Sequence, residues 1–169
     1  KSSNCKILPN TAGCKTAKEA VILSQMSREL FQTNWIKLEV IGDDYTLQPD
    51  SFELLDATKQ LSKMGFDIFA FCTEDCIVAD RLMGEGCKIL MPWGSPIGSG
   101  QGLKNLESLT RMREKFSDVK LIIDAGIGAP SHACFAMELG FDAVLLNSAV
   151  SQSGDPENMA LAFKGAINS

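Results

Sequence analysis

The chain has 169 residues, enough for one substantial core and too few for two ordinary domains. Its 16 basic and 21 acidic side chains leave a formal net charge of -5 with no clustered Lys or Arg, so the electrostatic footprint of a nucleic-acid binder is missing. No apolar run approaches the roughly 20 residues of a membrane span and the first residues lack a signal-peptide layout, which predicts a soluble, intracellular protein of the cytoplasm without a membrane partner; a plastid stroma is the other compartment left open.

Six apolar, strand-like runs follow one another along the chain: Cys5 to Pro9, Trp35 to Ile41, Asp67 to Cys72, Cys87 to Pro92, Val119 to Asp124 and Ala143 to Asn147. Each leads into an amphipathic stretch with helical spacing. Thr16-x-x-Glu19 and Asp50-x-x-Glu53 fit the reciprocal capping pattern, and Asp155-Pro156-Glu157 reads as an N-cap with proline at the first helical position. Gly65, Gly86 and Gly140 stand where helices should close in a left-handed residue. The segments Gly65-Phe66-Asp67 and Gly140-Phe141-Asp142 both mark a helix end passing into a strand, so one βα module is reused.

Repeated βα units predict parallel strands with right-handed crossovers, in either an open doubly wound sheet or a (β/α)8 barrel. The second run favours the barrel. Lys37 and Glu39 alternate with Ile36, Leu38 and Val40, so amine and carboxylate share one strand face. A doubly wound sheet wants both faces apolar, whereas a barrel offers a lumen for polar groups at its rim. The chain opens with Lys1 and enters a strand within five residues, so the expected fold is α/β: a single partial TIM-barrel domain over 1–169, truncated at its N-terminal side and carrying strands 3 to 8.

An amine and a carboxylate inside a sheet are costly to bury, which points to chemistry, with a structural ion pair as the alternative. The six cysteines make no C-x-x-C pair and read as reduced packing residues; Cys72 and Cys76 straddle a strand end and a helix start. His132 is the only histidine and reads as a solvated side chain, which excludes Ser-His-Asp and Cys-His nucleophile schemes and multi-histidine metal sites.

Polar and glycine residues gather where strands end: Asn10 to Gly13, Gly42-Asp43, Thr73 to Asp75, Gly94 to Gly102, Asp124 to Gly128, and Asn147-Ser148. That rim is where βα folds bind ligands. The Gly94–Gly102 loop can bring backbone N–H groups to an anion, or can simply be flexible; it lacks the Gly-Lys-Ser/Thr ending of a Walker A loop. Asp124 ends a buried run and is either an acid at a strand tip or a plain helix cap. If two strands precede this sequence, the runs ending at Asp124 and Asn147 are the seventh and eighth, between whose loops barrels often hold phosphate. The expected cradle is Gly126, Gly128, Asn147 and Ser148, with Gly98 close by.

Leu-Pro-Asn-Thr-Ala-Gly-Cys at 8–14, Trp-Ile-Lys-Leu-Glu-Val-Ile at 35–41, Gly-Ser-Pro-Ile-Gly-Ser-Gly-Gln-Gly at 94–102, Ile-Asp-Ala-Gly-Ile-Gly at 123–128, Ala-Met-Glu-Leu-Gly at 136–140 and Val-Leu-Leu-Asn-Ser at 144–148 resemble, in order and over nearly the whole chain, the thiazole synthases that build the thiazole phosphate half of thiamine. The resemblance implies a (β/α)8 barrel in which Lys37 forms an imine with the ketone of 1-deoxy-D-xylulose 5-phosphate, with Glu39 and Asp124 as proton-shuttling carboxylates. Gly98, Ala125, Gly126, Asn147 and Ser148 would hold sugar and phosphate. It also implies a sulfur-carrier protein thiocarboxylate and a dehydroglycine-producing enzyme as partners, no metal or organic cofactor, and a homo-oligomer, a common state for such barrels. Ser148 stands where threonine is usual but keeps the hydroxyl, Phe141 replaces a small residue, and the family's first two strands and C-terminal tail lie outside this sequence. The rival readings are a flavin- or nucleotide-binding barrel oxidoreductase and a non-catalytic phosphate-binding barrel.

Overall fold

Five parallel strands carry the fold in the computed structural model, which describes residues 5–167. They are β1 (Trp35–Leu38), β2 (Asp67–Cys72), β3 (Ile89–Pro92), β4 (Lys120–Asp124) and β5 (Ala143–Leu145). Helices α1 (Ala17–Phe31), α2 (Ser51–Lys63), α3 (Cys76–Gly84), α4 (Leu106–Lys115) and α5 (Pro130–Glu138) alternate with them, and a short α6 (Ser148–Ser151) and α7 (Pro156–Ala166) follow β5. The strands pair in the order β1-β2-β3-β4-β5. A doubly wound sheet reverses direction at a switch point, and this one does not, so the barrel-type winding expected from the sequence is the one observed.

The two sheet faces differ sharply. Ile36, Leu38, Ile68, Ala70, Leu90, Leu121 and Ile123 join Val21, Leu54, Leu61, Leu82, Leu109 and Met112 of the helices in one core. Each fully buried Leu, Ile or Met among them stabilises by about 1.5–3 kcal/mol. The register Lys37↔Phe69 and Phe71↔Met91 puts the alternate residues on the opposite face, where Lys37, Phe69, Phe71 and Met91 are all buried yet lie outside that core. This inner face curls. β1 and β4 are three strand spacings apart, roughly 14 Å in a flat sheet and more than a lysine and an aspartate can bridge. Yet Lys37 Nζ and Asp124 Oδ2 are 2.5 Å apart, so the sheet bends about them as part of a barrel wall.

The expected first strand, Cys5 to Pro9, does not form. Its segment is irregular and, among the described residues, pairs its backbone with β1 at a single parallel bridge, Asn10↔Lys37, where the Lys37 N–H donates to Pro9 O at 2.8 Å and the Thr11 N–H to Lys37 O at 3.1 Å. Pro9 has no N–H, and among the described residues no strand lies beyond this segment to complete a ladder. β1 also stops at Leu38, short of the expected Ile41, because loops take over its backbone: the Asp50 N–H donates to Val40 O and the Ile41 N–H to Cys14 O, both at 2.9 Å.

The helix signals behave as local chemistry demands, with one deviation. Thr16 and Glu19 form the full capping box. Asp50 caps α2 through the N–H groups of Phe52 and Glu53, but Glu53 turns away and accepts the Ala17 N–H at 2.6 Å, tying the start of α2 to that of α1. Such caps are worth about 1 kcal/mol each. No helix among the described residues is long and apolar enough to cross a membrane.

Candidate functional site

β1 and β4 deliver their polar residues to the same point at the carboxyl ends of the strands. Lys37 is 7% exposed, Glu39 6% and Asp124 3%. The Lys37 ammonium is 2.5 Å from Asp124 Oδ2 and 3.6 Å from Glu39 Oε2, and it sits 5.3 Å from the centre of the Phe71 ring. Asp124 is therefore its nearer partner. The contact is an ion pair off the angle of a hydrogen bond, and Oδ2 has no aligned donor. Burial pushes the Asp124 carboxyl above the usual aspartate range; the Lys37 charge and the Ala125 N–H pull the other way without overcoming it.

Glu39 is fixed from below. The Thr11 hydroxyl, fully buried, receives the Glu39 N–H at 2.8 Å and donates to Glu39 O at 2.8 Å, while Asn10 Nδ2 approaches Glu39 Oε2 at 3.5 Å. With the Pro9 and Thr11 bonds to Lys37, one irregular segment positions Lys37 of β1 and Glu39 just beyond its end. Sequence reasoning noted Asn10 and Thr11 only as rim polarity. Their bond to Glu39 depends on the parallel pairing of the two segments.

The glycine loops pack backbone against backbone. The Gly102 N–H donates to Gly126 O at 2.7 Å, and the Gly94 N–H reaches Asp124 O and Ala125 O at 3.2 Å each. Gly126, at φ +78°, leaves no room for a side chain, since a Cβ would fall 2.0 Å from Ser95 Oγ; at Gly128 it would fall 2.3 Å from Gly100 O. These glycines let two loops interlock. Gly98 differs: its surroundings are open, so it can face a ligand. The Gly128 N–H donates to His132 Nδ1 at 3.2 Å, so the histidine is half-buried and engaged instead of solvated.

All nine residues expected at the site, Lys37, Glu39, Gly98, Asp124, Ala125, Gly126, Gly128, Asn147 and Ser148, line one cleft of about 450 Å³. That is the size of a small-molecule site. Asn10 and Gln152 line it too and were not singled out from the sequence. The cysteines offer no rival nucleophile among the buried groups: burial pushes Cys87 up to about 11 and Cys72 still higher.

A buried amine beside a carboxylate whose proton affinity is raised by burial, with backbone loops opposite, can capture a carbonyl compound carrying an anionic group. Comparison with known proteins places the chain in a family. The family model described as "Thiazole biosynthesis protein ThiG" matches residues 1–169. A thiazole synthase from Gluconobacter oxydans is 61% identical over 165 residues, covering 98% of this chain and 66% of its own length. One from Erwinia tasmaniensis is 60% identical over 164 residues, covering 97% and 64%. Among solved structures, the Amycolatopsis orientalis BexX/CysO complex superposes with a TM-score of 0.88 at 29% identity, covering 94% of this chain and 64% of that one. The chain thus spans just under two thirds of the length of the curated relatives it matches.

Proposed function

The chain belongs to the thiazole biosynthesis protein ThiG family, and from that premise we propose that its cleft is the condensation site of a thiazole synthase, a sulfur-incorporating transferase that works on 1-deoxy-D-xylulose 5-phosphate. The observation that carries the reading is the Lys37 ammonium, enclosed in the cleft 2.5 Å from Asp124. An amine must lose its proton before it attacks a ketone, and Asp124, whose burial favours the protonated carboxyl, is the group placed to take it. The Lys37 nitrogen then bonds to the ketone carbon, the oxygen leaves as water with the proton returned by Asp124, and an imine remains.

Glu39 stands on the other side of the ammonium, anchored through Thr11 and Asn10. In this reading it removes a proton from the adjacent substrate carbon, and the carbonyl shifts along the chain so that sulfur can replace oxygen. Gly98, Ala125, Gly126, Asn147 and Ser148 hold the sugar and phosphate, with Gly128 behind them. BexX is solved with CysO, a likeness that supports a protein partner here. We assign that role to a sulfur-carrier protein ending in a thiocarboxylate, with dehydroglycine from a separate enzyme supplying carbon and nitrogen. The five strands are read as consecutive strands of a (β/α)8 barrel, acting as a homo-oligomer in the cytoplasm. The family likeness leaves the flavin or nucleotide oxidoreductase and the non-catalytic barrel without support.

Borohydride added with the pentulose phosphate tests this directly. The peptide containing Lys37 gains the mass of the reduced substrate; an adduct elsewhere, or none, ends the imine reading.

A further inference from the structure

His132 is the one histidine in the chain, and the chemistry above does not use it. It lies in the first turn of α5, half-buried, beneath both glycine loops. Its Nδ1 accepts the Gly128 N–H at 3.2 Å, which requires that nitrogen to carry no proton. Its ring also presses on the other loop: a Cβ at Gly102 would come within 3.0 Å of the imidazole. Gly102 in turn donates to Gly126 O at 2.7 Å, and Gly128 abuts Gly100. One imidazole therefore touches each loop at the point where the two interlock. The N-cap of the helix it serves gives no side-chain bond, because Ala129 makes no capping bond, and Pro130 has no N–H.

We propose that His132 is a positioning residue: its neutral imidazole clamps the Asp124–Gly128 loop to the Gly94–Gly102 loop, so that Gly98, Ala125 and Gly126 face the phosphorylated ketose in one fixed arrangement. Gly128 then serves the loop before the ligand, since its N–H is already given to the imidazole. The inference rests on the reading of the cleft as a sugar-phosphate site. Its action is through the loop backbone, not through the reacting atoms, so His132 affects how tightly the substrate is held more than how fast bound substrate reacts.

The test compares wild type with His132→Leu, which fills the space without an acceptor, and His132→Asn, whose side-chain oxygen can occupy the place of Nδ1. Wild type shows a slowly exchanging Gly128 amide with a 15N–15N coupling across the hydrogen bond to His132 Nδ1. In H132L, Gly128 loses its protection and the dissociation constant for 1-deoxy-D-xylulose 5-phosphate rises about three- to tenfold, the size of one lost hydrogen bond. The borohydride-trapping rate at saturating substrate stays close to wild type, and H132N recovers most of the affinity. Absence of the coupling, unchanged affinity in H132L, or an H132N no better than H132L overturns the proposal. If wild type itself neither binds nor traps the ketose, the sugar-phosphate reading fails instead; the clamp then stands or falls on the Gly128 coupling and exchange alone.

Discussion

Two aspartates, at opposite ends of the same pair of strands, show how one residue type is put to different use. Asp142 precedes β5 at the amino end of the sheet, where it receives Lys120 Nζ at 2.5 Å, Arg113 Nη1 at 3.1 Å and the Leu121 N–H at 3.0 Å. Asp124 ends β4 at the carboxyl end, 3% exposed, with one close cation and no aligned donor on Oδ2. Burial acts to raise both carboxyls. At Asp142 that is outweighed by Lys120, the Leu121 N–H and Arg113, so its pKa lies below the usual range; at Asp124 burial prevails and the pKa lies above it. Asp142 is a strut joining β4 to β5. Asp124 is held where burial raises its affinity for a proton beside an amine, an arrangement suited to moving a proton.

The comparison can be broken by exchanging charge for amide at each position. Asp124→Asn should slow imine trapping at Lys37 by about 100-fold or more, the scale of a lost acid or base. It should leave substrate affinity nearly intact. Glu39→Gln should reduce overall turnover on a similar scale, about 100-fold, while trapping at Lys37 persists, because Glu39 acts after the imine has formed. Near-normal turnover in that variant removes Glu39 from the proton path. Asp142→Asn should do the reverse of Asp124→Asn: a loss of about 1–3 kcal/mol of stability by thermal or urea unfolding, for a partly screened cluster of charged hydrogen bonds, with trapping per folded molecule unchanged. If Asp142→Asn stops trapping and Asp124→Asn only lowers melting, the assignment of strut and proton acceptor is inverted.

Much of this contrast was legible in the sequence, for physical reasons that differ by residue. The period-2 spacing of Lys37 and Glu39 in a β-branched run places both on one face whatever the rest of the chain does. Asp124 was recognisable as a carboxylate at the end of an apolar run. The close approach of Lys37 to Asp124 was not visible, because it comes from the curl of the sheet across three strand spacings. His132 reads as solvated for a different, local reason: its partner is a backbone N–H four residues away, made available by the left-handed turn at Ala125 and Gly126 (φ +66° and +78°). The expected first strand is absent because Cys5 to Pro9 has strand composition but, among the described residues, finds a neighbour on one side only.

The pH behaviour of the two carboxyls sharpens the comparison further, since their stability contributions carry opposite signs. Asp142, with its lowered pKa, stabilises the fold above the ordinary aspartate range, and that stabilisation fades as pH falls through its own pKa. Asp124, with its raised pKa, favours the fold below the ordinary range and loses that contribution as pH climbs through its own higher value. A 13C NMR titration of the two side-chain carboxyl carbons, each assigned by its Asn variant, tests the central claim most directly. Asp124 should titrate above an ordinary aspartate and Asp142 below it; an Asp124 that titrates with or below Asp142 would contradict the account, leaving the Lys37 ammonium without a ready acceptor for its proton.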